Sequence, residues 1–393
     1  MTAVWLQAQS CVSALGDSDE GLRAALFAHE PSGIATSDRH TPGRMLALGC
    51  VDVTLPPLEA LPTSQRSRAN ALLLAALAPL RAAADAAISR FGPARVAVIL
   101  GISTAGLDEG LAAMKLRLDG VGWPAGYDYA LQEMGNGAQC VAQQLGVAGP
   151  AYTISTACSS SAKALATGAR LLRSGAVDAV IAGGADALSG FTLAGFSALD
   201  AISAQRCNPM SLNRSGINIG EGAALFLMGR EEGPVRLSGW GETADAHHMS
   251  APEPNGRGAA QAMRRALARA GLAARDIDYV NLHGTATDQN DSMESRAVAD
   301  VLGVDVAASS TKPLTGHALG AAGAIEAAIA WHTLVDNPQG LLPVHWWDGV
   351  ADPALPPLRL VAPGMALGRA PRHVLSNSFA FGGSNASLVL SAP

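Results

Sequence analysis

At 393 residues the chain is too long for one small core, and a hydrophobic content of 49% is enough to bury two sub-domains. A net charge of −6 gives no support to nucleic-acid binding, although a local basic patch could still serve an acidic partner. The cysteines Cys11, Cys50, Cys140, Cys158 and Cys207 are odd in number and contain no Cys-x-x-Cys, so they read as free thiols of a reducing cytosol. Met1 to Gly16 shows no basic residue ahead of its apolar stretch, unlike a secretory leader. The longest apolar run, Ala71–Leu80, contains Pro79, meets Arg81 and falls short of the ~20 residues of a membrane span. The expectation is a soluble cytoplasmic protein.

In chain order, Val96–Leu100 predicts a buried strand ending at Gly101. Ala151–Thr156 predicts another, followed by a helix over Ser161–Arg173. Val177–Ala182 reads as a strand that turns at Gly183-Gly184, and Gly222–Met228 as a further strand. The pattern restarts after Pro234: strand Val235–Trp240, helix Gly258–Ala270, strands Tyr279–Leu282 and Val306–Ser310, helix Ala318–Leu334, then strands His373–Ser376 and Ser387–Leu390. Short apolar strands between helices predict an α/β protein with buried sheets. The halves echo each other: in each, a strand leads to a reactive residue and then a helix. Two sub-domains are therefore expected, residues 1–233 and 234–393.

Four segments carry chemistry. In Thr156-Ala157-Cys158-Ser159-Ser160-Ser161, a turn of small residues places Cys158 near a helix N-terminus. The dipole there favours a thiolate, and free N–H groups can bind an oxyanion. Alone, such a cysteine reads first as a structural residue at a tight turn, and the neighbouring motifs reverse that reading. In Asn281-Leu282-His283-Gly284-Thr285-Ala286-Thr287, a strand delivers His283 into a polar loop, where ligands collect in α/β sheets. In the segment from Lys312 to Gly323, His317 is expected to open a Gly/Ala-rich helix and stay neutral through its dipole. Glu326 further along can pair with Lys312 as an ordinary ion pair. The fourth segment, Asn377 to Asn385, sets Phe379 and Phe381 in a Gly-rich loop able to gate a cavity.

Together these segments resemble the β-ketoacyl-[acyl carrier protein] synthase family of the elongating Cys-His-His type, from about Val12 to Leu390. The resemblance implies a thiolase fold, two duplicated α/β halves in a five-layered α-β-α-β-α core, assembled as a dimer. It implies Cys158 as nucleophile, His283 and His317 as the catalytic histidines, Lys312 as the motif lysine and Glu326 as its acidic partner. It gives Phe381 a backbone N–H in the oxyanion hole, Phe379 and Asn385 places in the substrate-facing loop, and Thr285 and Thr287 contacts to phosphopantetheine. Its reaction is decarboxylative condensation of malonyl-carrier protein with an acyl chain on Cys158, with no metal or redox cofactor. The implied partners are acyl carrier protein and either a second copy or a Cys-less chain-length factor. From position, Arg66, Arg68 and Arg206 are candidates for carrier docking.

Three departures stand out: Ala380 between the loop aromatics, Asn208-Pro209-Met210-Ser211, and His345-Trp346-Trp347. Tyr152–Lys163, Gly216–Gly222 and Asp245–Ser250 look most like ketosynthases of aryl polyene clusters. A thiolase would need a late second cysteine, whereas the last here is Cys207, and chain-starting synthases use Cys-His-Asn. A non-catalytic chain-length factor would lack the nucleophile; a cysteine hydrolase would need neither the second histidine nor the threonines. Adjacent His247 and His248 have no third ligand at useful spacing for a metal.

Overall fold

The computed structural model describes residues 2–393. The first half runs β1 (Trp5–Val12), α1 (Asp19–Leu26), the small ribbon β2 (Ala35–Ser37) and β3 (Leu46–Leu48), α2 (Arg68–Leu77), α3 (Arg81–Phe91), β4 (Val96–Gly101), α4 (Leu107–Leu118), α5 (Asn136–Leu145), β5 (Ala151–Ile154), α6 (Ser160–Arg173), β6 (Ala179–Asp186), α7 (Gly190–Ala198) and β7 (Gly222–Gly229). The second runs β8 (Val235–Ala244), α8 (Arg257–Ala270), β9 (Tyr279–Asn281), α9 (Asp288–Leu302), β10 (Ala307–Ser309), α10 (Lys312–Thr315), α11 (Ala322–Leu334), β11 (Arg359–Leu360), β12 (His373–Ala380) and β13 (Ser384–Ser391).

Strand order is β11-β10-β9-β12-β13-β8-β1-β7-β6-β4-β5. Reading outward from the centre, β1-β7-β6 are antiparallel and β6-β4-β5 parallel; β8-β13-β12 are antiparallel and β12-β9-β10 parallel. The halves thus repeat one topology, and their strands meet in the sheet through a two-residue pairing of β1 with β8. Helices α2 and α5 cover the first half's outer face, α8 and α9 the second's, and α6 and α11 lie between the two halves of the sheet against each other. Layer order is α-β-α-β-α, with separate apolar clusters in the outer layers and the largest one in the middle.

Small residues make the middle layer possible. Every residue of α11 is buried, and a Cβ on Gly323 would lie 2.9 Å from the Ala162 Cβ of α6. The predicted turn at Gly183-Gly184 is instead strand: β6 continues to Asp186. Gly184 and Gly101 are small because α6 lies on them; a Cβ on Gly101 would come within 2.1 Å of the Ser161 nitrogen. The predicted strand over Trp240 extends to Ala244, and β12 to Ala380. β1, unanticipated, fills the middle of the sheet.

The run around Ala71–Leu80 is also longer than expected. Helical structure continues from Arg68 to Phe91, long and apolar enough by length and composition to cross a membrane. Pro79 is tolerated in the first turn of a short 3₁₀ segment. Leu72, Leu73, Ala76, Leu77 and Leu80 are buried in the outer core, which accounts for the apolar stretch.

Candidate active site

Each central helix brings one reactive side chain to the middle of the molecule. Between β5 and α6, Ala157 takes φ = 51°, a left-handed turn that thrusts Cys158 out of the strand direction. Thr156 N–H donates to Ser160 Oγ at 2.9 Å, and Ser160 Oγ–H to the Ala157 carbonyl at 2.6 Å, which fixes the turn. In the second half, α10 holds Lys312, and His317 lies in the connection to α11. Its N–H donates to the Asn218 carbonyl at 2.6 Å, and its carbonyl accepts from Gly220 N at 3.0 Å. His317 therefore does not open a helix; α11 begins five residues later.

Cys158 Sγ is 3.0 Å from His317 Nε2, and the ligating atoms of Cys158, His283 and His317 lie within 4.8 Å of one another. The two imidazoles meet edge-on, centroids 5.2 Å apart. Lys312 Nζ lies 3.4 Å from His283 Nδ1 and forms an ion pair with Glu326, both side chains buried. Since the ammonium only donates, His283 Nδ1 is an acceptor and its proton sits on Nε2. The same ammonium opposes a dication among the three clustered residues.

Electrostatics revises two expectations. Cys158 does not rest as a dipole-stabilised thiolate: burial pushes its thiol up to about 12, against the pull of Lys312 and of the Phe381 and Cys158 N–H groups facing Sγ. His317 is neutral, as expected, but the causes are burial and then Lys312, not a helix dipole. Burial, then Lys312, then His317 hold His283 well below its usual range. The resting trio is thus an uncharged thiol beside two neutral imidazoles. His317 Nδ1 has no hydrogen-bond partner among the described residues, so its tautomer is set only by the Cys158 contact, where the thiol S–H makes Nε2 the acceptor.

Two cavities meet at Cys158. One, about 360 Å³, is lined by His283, His317, Thr285, Thr287, Phe379 and Asn385 among others. The other, about 390 Å³ and mostly apolar, runs between Leu107, Phe191, Thr192 and Leu319. Phe196, Leu199 and Phe381 border both, and Phe196 and Phe381 pack with centroids 5.6 Å apart. Thr285 and Thr287 hydroxyls are 3.0 Å apart. Phe379 packs edge-on to His283. Asn385 donates to Asp245 at 2.7 Å, and Asp245 N–H donates to the Gly383 carbonyl at 2.8 Å, bracing the loop of Phe381. Ala380 has ordinary extended angles, while Gly382 and Gly383 supply the positive φ of the hairpin.

The docking candidates are dispersed in role. Arg68 grips Glu221 with two contacts of 2.7 and 2.6 Å, so its charge is neutralised internally and it is withdrawn as a free docking cation. Arg206 is half-buried and bonds to the carbonyls of Ser32 and Pro313. Arg66 is exposed, anchored to the carbonyls of Leu61 and Glu59. His247 and His248 are exposed, and His248 Nδ1 accepts from its own turn.

Sequence reasoning passed over the carboxylates beneath the site. Glu294 accepts the His283 and Gly284 N–H groups at 2.8 and 2.7 Å, and burial raises it to about 7. It lies on α9, which begins at Asp288 directly after the loop that carries His283. Asp186 ties Ser103, Thr104 and Gly320 N–H groups, at 2.8, 2.7 and 2.6 Å, under the apolar cavity. The two unusual segments meet in space: His345 accepts from Ser310 N at 3.0 Å through Nδ1 and donates to the Pro209 carbonyl at 2.9 Å, supporting the loop that leads to Lys312.

Comparison with known proteins gives a consistent result. Residues 22–233 match the family model of the beta-ketoacyl synthase N-terminal domain, and residues 235–337 that of the C-terminal domain. The chain is 37% identical over 263 residues to 3-oxoacyl-[acyl-carrier-protein] synthase 2 of Rhizobium meliloti (strain 1021), covering 62% of this chain and 61% of that protein. It is 33% identical over 309 residues to Nodulation protein E of the same strain, covering 75% of each. Among solved structures, a chain of the ketosynthase ApeO in complex with its chain length factor ApeC, from Xenorhabdus doucetiae, matches at 42% identity and TM-score 0.94, covering 100% of this chain and 98% of that one. The ishigamide ketosynthase/chain length factor matches at 28% identity and TM-score 0.85, covering 100% and 99%.

Proposed function

The chain belongs to the beta-ketoacyl synthase family and has its thiolase-type fold, and from that premise we propose that it is a 3-oxoacyl-[acyl-carrier-protein] synthase condensing malonyl-carrier protein with an acyl chain held on Cys158. The carrying observation is the Cys158–His317 contact of 3.0 Å beside a second neutral histidine.

In the first half-reaction the thiol attacks an acyl thioester while its proton passes to His317 Nε2. The Cys158 and Phe381 N–H groups hold the oxyanion. The carrier's pantetheine sulfur departs and takes the proton from His317. In the second, the malonyl C–carboxylate bond breaks, carbon dioxide leaves, and the electron pair becomes an enolate. The Nε2–H of His283, fixed by Lys312, and that of His317, whose tautomer is free to switch, donate to the enolate oxygen. The enolate carbon attacks the acyl-cysteine carbonyl, forming the new carbon–carbon bond. Cys158 departs as thiolate and takes up a proton from solvent, the one proton the decarboxylative reaction consumes. This chemistry calls on no metal or redox cofactor. Thr285 and Thr287 are proposed to hold the pantetheine arm, and the apolar cavity the acyl chain.

We assign a chain-length-factor-type partner in preference to a second copy. Support comes from the full-length likeness to the ApeO–ApeC structure and from Phe191, 63% exposed at the lip of the apolar cavity. An assembled Cys158, His283 and His317 disfavours this chain as the non-catalytic member. The aryl polyene likeness of three sequence segments makes that pathway our narrower reading. Unpaired cysteines suit the cytoplasm. Incubation with acyl- and malonyl-carrier proteins, with the candidate partner present, tests the proposal. 3-Oxoacyl-carrier protein is expected; release of free acid without it would indicate a hydrolase.

A further inference from the structure

One half-buried cation is left unused by this chemistry. Lys163 lies on α6, five residues after Cys158, and its ammonium contacts Ser384 Oγ. Ser384 Oγ is 3.1 Å from Ser159 Oγ, which is 2.9 Å from the Thr156 carbonyl. Ser384 Oγ thus accepts from both the Lys163 ammonium and the Ser159 hydroxyl, and the Ser159 hydroxyl is shared between Ser384 Oγ and the Thr156 carbonyl. Ser159 Oγ also lies 3.0 Å from Thr156 Oγ1, which ties the network to the turn ahead of Cys158. Burial, then Arg170, lowers the Lys163 pKa, and among the described residues no carboxylate pairs with it.

The network's ends bracket the two oxyanion donors. Cys158 lies between Thr156 and Ser159. Phe381 lies in the hairpin closed by the Ala380–Ser384 register pair. We infer that Lys163, Ser384 and Ser159 are positioning residues that set the spacing between the Cys158 and Phe381 N–H groups, and so tune thioester attack. This rests on the reading that Cys158 is acylated from a thioester.

The test compares two reactions of one thiol by intact mass: acylation by acyl-carrier protein, which needs the oxyanion hole, and alkylation by iodoacetamide, which does not. Ser384→Ala and Lys163→Met should slow acylation about 10- to 100-fold while alkylation changes less than about 3-fold, and Ser384→Thr, which keeps the hydroxyl, should restore acylation. Unchanged acylation in both variants overturns the inference, as does a parallel loss of both reactions, which marks a general structural role. A wild type that is alkylated but never acylated by any donor overturns the reading of Cys158 itself, and the positioning role with it.

Discussion

The strand–turn–helix units β5–Cys158–α6 and β10–His317–α11 occupy equivalent places in the two halves, yet they prepare their residues differently. The first uses backbone: a left-handed Ala157 in a five-residue connection and N–H groups facing the sulfur. The second uses buried charge: a longer connection carries Lys312, which pairs with Glu326 and fixes the His283 tautomer. Acylation should draw on the first unit together with His317 and Phe381 of the second half, whereas decarboxylation and condensation should depend in addition on His283 and Lys312.

His283→Ala breaks the comparison on its second side. Condensation should fall about 10²- to 10³-fold with acyl-Cys158 still formed near the wild-type rate, so the acyl-enzyme accumulates in intact mass spectra. Equal loss of both steps would erase the division. Next, Lys312→Met leaves Glu326 buried and unpaired, at a cost of about 3–5 kcal/mol in denaturant unfolding. Adding Glu326→Leu should recover much of that stability but not condensation.

The third prediction concerns pH. Burial lowers His345 from 6.5 to about 4. Between those values the unfolded state holds the extra proton, so stability is fully present above pH 6.5 and is lost as pH falls towards 4, by about 3 kcal/mol at most. His345→Gln should flatten this slope in thermal unfolding measured from pH 7 to 4.5. The smallest effect is at the surface: Arg66→Glu should raise KM for carrier-bound substrate by a few-fold without changing kcat, more at low salt.

The residues gathered around Cys158 were legible in the sequence because each sits in a short motif of small or polar residues near the end of an apolar run: Cys158, His283, Lys312, His317 and Phe381. Buried strands such as β4 and β7 were legible as continuous apolar runs. What escaped depends on distant partners. Gly183 and Gly184 look like a turn until α6 is packed against the strand. Trp5–Val12 hides as a strand because Gln7, Gln9 and Ser10 interrupt its apolar pattern. Glu294, Asp186 and Lys163 show no local signal, since their partners are backbone or hydroxyl groups from other elements. The protonation of Cys158 was misjudged for the same reason: helix position is local, but burial is a property of the assembled core.

The central claim is that Cys158 carries the acyl chain, and intact mass spectrometry with a panel of acyl-carrier proteins, malonyl-carrier protein and the partner subunit tests it most directly. The account predicts an acyl adduct on the wild type and 3-oxoacyl-carrier protein as product, with Cys158→Ala giving no adduct and losing at least about 10³-fold in condensation. Product formation by Cys158→Ala at the wild-type rate, or a wild type that accepts no acyl group from any donor, would contradict it.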